Sequence, residues 1–245
     1  MGWFPVIEKV IKVDNLNVLY QGTPVLNNVN FSVSCGKLIG IIGPNGAGKS
    51  TLMKAMLDLI KSTGEVKIKG EKVGTLKSRV AYIKQGSDYD LTFPILVKDV
   101  VMLGLYPKMG LFKRANKSHR TLIDDALKRV EMEDFKNRQI AELSGGQWQR
   151  VLIARLLVQD AEILFLDEPF TGVDVDSEAK IMAVLRELRD EGRTILMIYH
   201  DLDSARGYFD EVILLNQTVC AYGATDKVLT DENLHLAYMR GGVRR

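Results

Sequence analysis

The sequence predicts an α/β fold, and three observations support this prediction. The apolar run Ile39–Ile42 leads into the glycine-rich segment Gly43–Thr51, and a helix-like run continues to Ile60. Ala161–Leu166 is a second continuous apolar run, typical of a strand buried in a parallel sheet. Between the two, from residue 93 to residue 160, apolar residues recur at helical intervals. Strands that alternate with helical segments indicate an α/β protein.

The composition is that of an ordinary globular protein. Among 245 residues, 26% are charged and the formal net charge is +2, which gives no indication of a dedicated nucleic-acid binder. Every apolar run is far shorter than the about 20 residues of a membrane-spanning helix, and charges near the N-terminus interrupt any signal-peptide apolar region. Cys35 and Cys220 lack metal or redox spacing, so we expect thiols in a reducing cytosol.

The chain is expected to be a single domain, residues 1–245. Its core would comprise residues 1–90 and 160–245, and a helical insertion would span about residues 91–159.

The first part of the chain predicts an antiparallel sheet. Three short segments alternate apolar and polar residues, as half-buried strands do: Val10–Val13, Val18–Tyr20 and Val29–Val33. Turns are expected at Gln21–Pro24 and at Asn27–Asn28. Tyr20, at the end of a strand, either packs in the core or stacks on a flat ligand.

The glycine-rich segment has the spacing of a phosphate-binding loop, with Gly43 followed by four residues and then by Gly48-Lys49-Ser50. Its residues are Gly43, Pro44, Asn45, Gly46, Ala47, Gly48, Lys49, Ser50 and Thr51. The glycines allow close backbone approach, and a helix that begins near Lys49 favours an anion at its N-terminus. Lys49 would reach the β- and γ-phosphates and Ser50 would help to hold Mg²⁺. The alternative is a glycine-rich turn with an incidental lysine.

Two more strands, Gly64–Gly70 and Val80–Ile83, are predicted after the loop. The second leads to Gln85, whose amide oxygen either serves a metal or a water molecule or faces solvent. Helices are then expected over Val97–Leu105 and Thr121–Val130. They are separated by Tyr106–Gly110 and by the basic stretch Lys113–Lys117, which is either a solvated loop or a partner contact.

A second anion site is expected where the helix Trp148–Val158 is opened by Leu143, Ser144, Gly145, Gly146 and Gln147. Ser144 suits an N-cap, and the glycines leave the following N–H groups exposed. An ordinary capped helix start would look similar.

Asp167 and Glu168 end the buried run Ala161–Leu166. Ligands bind beyond the carboxyl ends of parallel strands, so both acids are expected at the nucleotide edge of the sheet. Asp167 suits a Mg²⁺ shell, and Glu168 suits the positioning of a water molecule as general base. The alternative for such a pair is a helix cap.

A turn formed by Thr171, Gly172, Val173 and Asp174 leads into an amphipathic helix, Ser177–Asp190. The strand Thr194–Ile198 then delivers His200, which could donate to a γ-phosphate. A hairpin of Glu211–Asn216 with Thr218–Tyr222 and a helix near Glu232–Tyr238 are expected to be structural.

The ordered set of motifs resembles the ATP-binding subunit of an ABC transporter over essentially the whole chain. In that family's terms the motifs are the Walker A loop Gly43–Thr51, the Q-loop glutamine Gln85, the signature Leu143–Gln147, the Walker B strand Ile163–Glu168, the D-loop Thr171–Asp174 and the switch histidine His200. Tyr20 falls where the family has its adenine-stacking aromatic residue. The fold implied is a P-loop NTPase (ABC ATPase) core with an antiparallel β subdomain and an inserted α-helical subdomain.

The resemblance also implies a mechanism that uses ATP and Mg²⁺. Two copies would face head to tail, so that Ser144-Gly145-Gly146 of one copy binds the γ-phosphate held by Lys49 of the other. Glu168 would orient water while His200 stabilises the γ-phosphate, and Gln85 would join Ser50 and Asp167 at Mg²⁺. Closure of this dimer would drive a polytopic membrane permease from the cytoplasmic face of a bacterial cell membrane.

The transported substrate is implied by two segments, Thr92–Pro107 and Gln147–Arg155, which are similar to the ATPases of bacterial manganese, zinc and iron uptake systems. An extracytoplasmic metal-binding protein would then be an indirect partner, and nucleic acid would not be a partner. The departures from the family pattern are Tyr199 before the switch histidine, Trp148 after the signature and Leu96 where a Ser or Thr cap often opens the first inserted helix.

Three alternatives share these motifs. An exporter ATPase, or an importer ATPase for another small substrate, is the nearest. DNA-maintenance ATPases insert long coiled coils or zinc modules between the Walker A and signature motifs, and this interval has neither sustained heptads nor paired CxxC motifs. Translation-associated ABC proteins normally carry two cassettes, and this sequence has one.

Overall fold

The computed structural model describes residues 9–76, 79–84, 89–109 and 116–239. These residues form two compact units. The first consists of the described parts of Met1–Lys77 and Gly192–Arg245, and the second of the described parts of Ser78–Glu191.

In the first unit, β1 (Lys9–Tyr20), β2 (Thr23–Ser34) and β4 (Thr63–Ile68) form an antiparallel sheet in the order β2-β1-β4. The sheet was predicted, but the turn predicted at Asn27–Asn28 is wrong, because both residues lie inside β2. Asn28 adopts a φ of 48° and forms an irregularity in the strand, where its N–H donates to Asn17 Oδ1 at 2.8 Å. The side-chain acceptor satisfies the backbone group, so the strand continues where a turn was expected.

The same unit contains a second set of strands, in the order β7 (Thr194–Ile198), β3 (Leu38–Ile42), β8 (Glu211–Asn216) and β9 (Thr218–Ala224). The first three are parallel, and β9 pairs antiparallel with β8. Every residue of β3 and β7 is buried, as continuous apolar runs predict for parallel strands. The helices of this unit are α1 (Lys49–Met56), α7 (Leu202–Tyr208), α8 (Thr225–Val228) and α9 (Asp231–Met239).

Helix α1 ends at Met56, four residues before the predicted end at Ile60. Asp58 adopts a φ of 55°, and the N–H of Leu59 donates to the carbonyl oxygen of Lys54 at 2.9 Å. A left-handed residue with such a bond closes a helix C-terminus.

The second unit pairs β5 (Val80–Ile83) in parallel with β6 (Ile163–Leu166). Its helices are α2 (Val97–Leu103), α3 (Tyr106–Met109), α4 (Lys117–Arg129), α5 (Gly145–Gln159) and α6 (Val175–Asp190). The predicted separator therefore contains a short helix, α3. Helices α5 and α6 begin three and two residues earlier than predicted, because their caps Ser144 and Asp174 stand directly before them.

Among the helices of the described residues, none is both long and apolar enough to cross a membrane. Within the same residues Cys35 and Cys220 are present as thiols, as predicted.

Candidate functional site

The glycine-rich loop lies in the first unit, between β3 and α1. Loop residues Gly43–Gly48 connect the carboxyl end of the buried strand to a helix that begins at Lys49. The N–H of Ala47 donates to the carbonyl oxygen of Pro44 at 3.1 Å, and the N–H of Gln217 donates to that of Ala47 at 2.8 Å. The loop therefore has the strand–loop–helix setting that phosphate binding requires.

Two of its glycines are required by their surroundings. A Cβ on Gly43 would overlap the carbonyl oxygen of Leu215 in β8. Gly48 has a φ of 91°, and a Cβ there would lie 2.7 Å from the Cδ2 atom of Leu26. Larger residues at these positions would displace backbone or core atoms, so the loop shape depends on glycine.

Lys49 is 6% exposed, and its ammonium group contacts the backbone of the loop. Nζ donates to the carbonyl oxygens of Gly43 at 2.9 Å and Pro44 at 3.0 Å. A buried cation at the N-terminus of a helix is suited to phosphate oxygens. The loop and the N-terminus of α1 thus fit a nucleotide polyphosphate.

His200 follows β7, which lies directly beside β3 in the same unit. The N–H of Tyr199 donates to the carbonyl oxygen of Ile41 at 3.2 Å, so the loop and His200 leave the sheet from neighbouring carboxyl ends. Tyr199 is buried and its ring packs edge-on against Phe209, with ring centroids 5.4 Å apart. His200 is exposed. Tyr199, which departs from the family pattern, thus packs in the core. The His200 imidazole remains exposed at the carboxyl edge of the strands.

Tyr20 is the last residue of β1 and is 47% exposed. Tyr20 therefore does not pack in the core, and its stacking on a flat ligand stays a prediction.

The two acids of the second unit follow β6 and differ in environment. Asp167 is 2% exposed, its N–H donates to the carbonyl oxygen of Ile83 at 2.9 Å, and the Tyr82 hydroxyl donates to its Oδ2 at 3.3 Å. Glu168 is half-buried with a φ of 51°. A non-glycine residue in the left-handed region costs of order 1–3 kcal/mol and is commonest at functional sites.

The signature segment opens α5 through a capping box. The Ser144 hydroxyl accepts from the Gln147 N–H at 3.2 Å, and Gln147 Oε1 accepts from the Ser144 N–H at 2.9 Å. The hydroxyl accepts through a lone pair, so its own proton can be donated elsewhere. Together with the first N–H groups of a helix of 15 residues, this arrangement suits an anion.

The D-loop ends at Asp174, the N-cap of α6. Asp174 Oδ1 accepts from the Ser177 N–H at 2.9 Å. This bond, followed by the Ser177 hydroxyl and then the charge of Arg150, holds the pKa of Asp174 below its usual value.

The predicted site residues are thus divided between the units. The first unit brings together the loop Gly43–Thr51 and His200, and it also contains Tyr20 at the end of β1. The second contains the signature, the two acids and the D-loop, of which the signature and the D-loop are in contact. Gln85 lies outside the described residues.

Sequence reasoning missed two residues that contact this machinery. Tyr82 donates to Asp167 from the neighbouring strand, and Ser177 bonds to Asp174 from the first turn of α6. An aromatic residue within a strand carries no signal of such a contact. The interval of three residues from Asp174 to Ser177, typical of a helix cap and its N3 position, could have pointed to the second contact.

Fold and loop together define a P-loop protein of the nucleotide-binding class. Comparison with known proteins narrows this class. Residues 26–171 match the family described as ABC transporter. The chain belongs to the ABC transporter family, as an ATP-binding subunit that hydrolyses ATP to drive transport.

Several relatives share almost the full length of the chain. The manganese transport system ATP-binding protein MntB of Halalkalibacterium halodurans is 49% identical over 94% of this chain and 92% of the relative. The zinc transport system ATP-binding protein TroB of Treponema pallidum is 44% identical over 93% of this chain and 86% of the relative.

Among solved structures, cbiO1 of Clostridium perfringens, part of the ABC transporter complex cbiONQ, is 30% identical. It has a TM-score of 0.80 over 96% of this chain and 98% of that chain. An ATP-binding cassette in its ADP conformation has a TM-score of 0.82 over 95% of this chain and 99% of that chain. At 24% identity this second likeness concerns the fold, which agrees with the predicted P-loop NTPase core.

Proposed function

We propose that this chain is the ATPase subunit of a bacterial importer for a divalent metal ion such as manganese or zinc. The observation that carries the proposal is the identity of 44–49% to relatives named for manganese or zinc transport, over more than nine-tenths of the chain. The ion is the cargo of the membrane subunit and is distinct from the Mg²⁺ that accompanies ATP.

ATP would be held by the loop Gly43–Thr51. The buried Lys49 ammonium group, now bonded to loop carbonyl oxygens, would bind the β- and γ-phosphates instead. Tyr20 would stack on the adenine, for which its exposure at a strand end is favourable.

Ser50, Gln85 and Asp167 would hold Mg²⁺. Hydroxyl, amide and carboxylate oxygens are the hard donors that this ion prefers, and the nearly full burial of Asp167 gives a fixed carboxylate. The ion would supply positive charge to the phosphate oxygens.

Glu168 would act as the general base that orients the attacking water, and His200 would donate to the γ-phosphate. Glu168 directly follows β6, its backbone has a left-handed φ of 51°, and its Oε2 accepts from the Thr171 hydroxyl at 3.3 Å, which supports a defined position for the carboxylate. The exposure of His200 at the end of β7 leaves its imidazole accessible to a ligand.

One chain would not complete a site. The signature Leu143–Gln147 would bind the γ-phosphate held by a second copy in a head-to-tail dimer, for which the Ser144 hydroxyl and the start of α5 are chemically suited. Dimer closure would drive a polytopic permease, with the chain peripheral at the cytoplasmic face of the cell membrane. An extracytoplasmic metal-binding protein would deliver the ion.

The substitution Glu168→Gln tests the assignment of the base. We expect the purified variant to bind ATP and to form an ATP-dependent dimer, with hydrolysis slower by about 100-fold or more, because general-base catalysis is removed. Glu187→Gln, which neutralises an exposed carboxylate of α6, is the control and should hydrolyse ATP at the wild-type rate. A wild-type rate of ATP hydrolysis in Glu168→Gln would show that Glu168 is not the general base.

The same variants test transport in cells. In a strain that lacks this chain, wild type and Glu187→Gln should restore uptake of radioactive manganese or zinc, and Glu168→Gln should not. If the wild-type chain restored the uptake of iron but not of manganese or zinc, iron would be the transported ion instead. Restored efflux, with no effect on uptake, would favour the exporter alternative.

A further inference from the structure

Both glycines of the signature pack against the D-loop side of α6 in the same chain. A Cβ on Gly145 would lie 2.8 Å from the carbonyl oxygen of Gly172. A Cβ on Gly146 would lie 2.5 Å from Ser177 Oγ, 2.8 Å from Ser177 Cβ and 2.8 Å from Asp174 Oδ2. Carbon atoms do not approach neighbours this closely without displacement. The signature glycines are therefore required by packing inside the chain, before any ligand is considered.

The surface that they meet is fixed in place. We name Gly172, Asp174 and Ser177 the D-loop platform. Ser177, the last of the three, is buried, with 5% of its surface exposed. Asp174 Oδ1 accepts from the Ser177 N–H at 2.9 Å, and this bond, followed by the Ser177 hydroxyl, holds the pKa of Asp174 below its usual value. A charge-assisted bond of this kind restricts the movement of the carboxylate.

Arg150, a residue of α5, binds the segment that follows α4 and acts on Asp174 through its charge. Its guanidinium donates to the carbonyl oxygens of Val130 at 3.3 Å and Glu131 at 3.4 Å, directly after α4, while its charge acts on Asp174. Its side chain is only 12% exposed, so this charge is incompletely screened by solvent. Arg150 thus binds α5 to the segment that follows α4, and its charge also favours the ionised form of Asp174.

We infer that Ser177 is a positioning residue of the ATPase reaction. Ser177 packs against Gly146. The D-loop platform therefore fixes the direction in which Ser144 and the first N–H groups of α5 face a second copy. The signature and the D-loop then approach that copy's nucleotide as one body. This inference rests on the proposed head-to-tail dimer.

A pair of substitutions distinguishes two reasons for a glycine at position 146. One is its packing against Ser177, and the other is the close approach of a phosphate. Gly146→Ala should destabilise the chain, abolish the ATP-dependent dimer in the Glu168→Gln background and lower hydrolysis in the otherwise wild-type chain by about tenfold or more. Adding Ser177→Gly removes two of the three clashing atoms. It should bring the stability, the dimer and the hydrolysis up to the level of the Ser177→Gly single variant, since the added methyl group gains space and only the loss of the serine remains.

Gly145→Ala is the matched control. Its added methyl group meets the backbone oxygen of Gly172, which no side-chain substitution removes, so Ser177→Gly should give no rescue. Binding of a fluorescent ATP analogue to single chains should be unchanged in all variants, because none alters the phosphate loop. Ser177→Thr, which keeps the hydroxyl, should retain more hydrolysis than Ser177→Val, which has the same shape without it.

The outcomes are distinguishable. Thermal unfolding that shows no coupling between positions 146 and 177 overturns the inference whatever the activity. Coupled stability, with dimer formation and hydrolysis in the double variant that stay below those of the Ser177→Gly single variant, assigns the glycine to the ligand and also overturns it. A wild-type chain that neither dimerises with ATP nor hydrolyses it overturns the proposed function, and the positioning role with it.

Discussion

At the scale of single residues, Tyr222 shows how a side chain depends on contacts that are distant in sequence. Its hydroxyl donates to Glu211 Oε2 at 2.5 Å and lies 3.0 Å from the carbonyl oxygen of Ser32. Its ring packs on Phe31, with centroids 6.1 Å apart. Burial, then the bond to Glu211 and its negative charge, raises the pKa of Tyr222 above the ordinary value. The hydroxyl thus joins β2 to the hairpin of β8 and β9.

This raised pKa predicts a loss of stability in alkali. The folded state holds the Tyr222 proton more tightly than the unfolded state, so its contribution is complete below the ordinary pKa of about 10 and is lost as the pH rises above it. Tyr222→Phe should lower stability at neutral pH by about 1 kcal/mol and flatten the decline above pH 10. Urea unfolding between pH 8 and about 11 measures both effects. Tyr106→Phe, at an exposed tyrosine, is the control, and an equally steep decline in Tyr222→Phe would contradict the assignment.

At the scale of elements, two helices of the second unit begin in different ways. Helix α4 begins with a side-chain cap, in which Asn116 Oδ1 accepts from the His119 N–H at 3.0 Å. Helix α2 begins after Leu96, whose side chain has no acceptor. Its first N–H groups donate instead to carbonyl oxygens from a distant turn, Val97 to Arg138 and Lys98 to Lys136, each at 3.0 Å. Tertiary contacts therefore replace the cap that the sequence lacks.

Substitutions at the two caps should accordingly differ in effect. Asn116→Ala should lower the free energy of unfolding by about 1 kcal/mol, because it leaves helix N–H groups unsatisfied. Leu96→Ser should change it by less than about 0.5 kcal/mol, because the groups that a serine would cap already have acceptors. Chemical denaturation of both variants tests this contrast, and a clear gain of stability in Leu96→Ser would show that the remote carbonyl oxygens are poor caps.

At the scale of the whole molecule, the glycine-rich loop depends on a segment that is distant in sequence. Gly43 packs against the backbone of Leu215, and Ala47 accepts from Gln217, both about 170 residues further along the chain. A ligand that binds this loop should therefore stabilise distant parts of the fold, because it binds the folded chain and not the unfolded one.

ATP with Mg²⁺ should raise the melting temperature. At a ligand concentration of 100 times the Kd the gain is about 2.7 kcal/mol, or roughly 5–10 °C for a chain of this size. Lys49→Met should abolish most of the shift, whereas Lys54→Met, in the same helix α1, should retain it. Chelation of Mg²⁺ should reduce the shift in the wild type. An unchanged shift in Lys49→Met would exclude Lys49 as the phosphate ligand.

Local sequence determined much of this protein. The buried strands β3, β6 and β7, the phosphate loop and the cap at Ser144 are set by runs of apolar residues, by glycine spacing and by side-chain acceptors that act within a few residues. The likeness to ABC transporter ATPases followed from the order of these motifs, and the family comparison confirmed it. Spacing of this kind is readable because the physical cause and its effect are close together in the chain.

Only the tertiary structure decided the rest. The start of α2, the continuation of β2 through Asn28, the burial of Tyr199 and the packing of Gly145 and Gly146 against the D-loop platform all depend on atoms from segments distant in sequence. Hydrogen bonds to remote carbonyl oxygens and clashes between non-neighbouring atoms leave no periodic signal in a sequence. The signature glycines show the difference, because sequence assigned them to an anion and the structure shows that they first satisfy the fold.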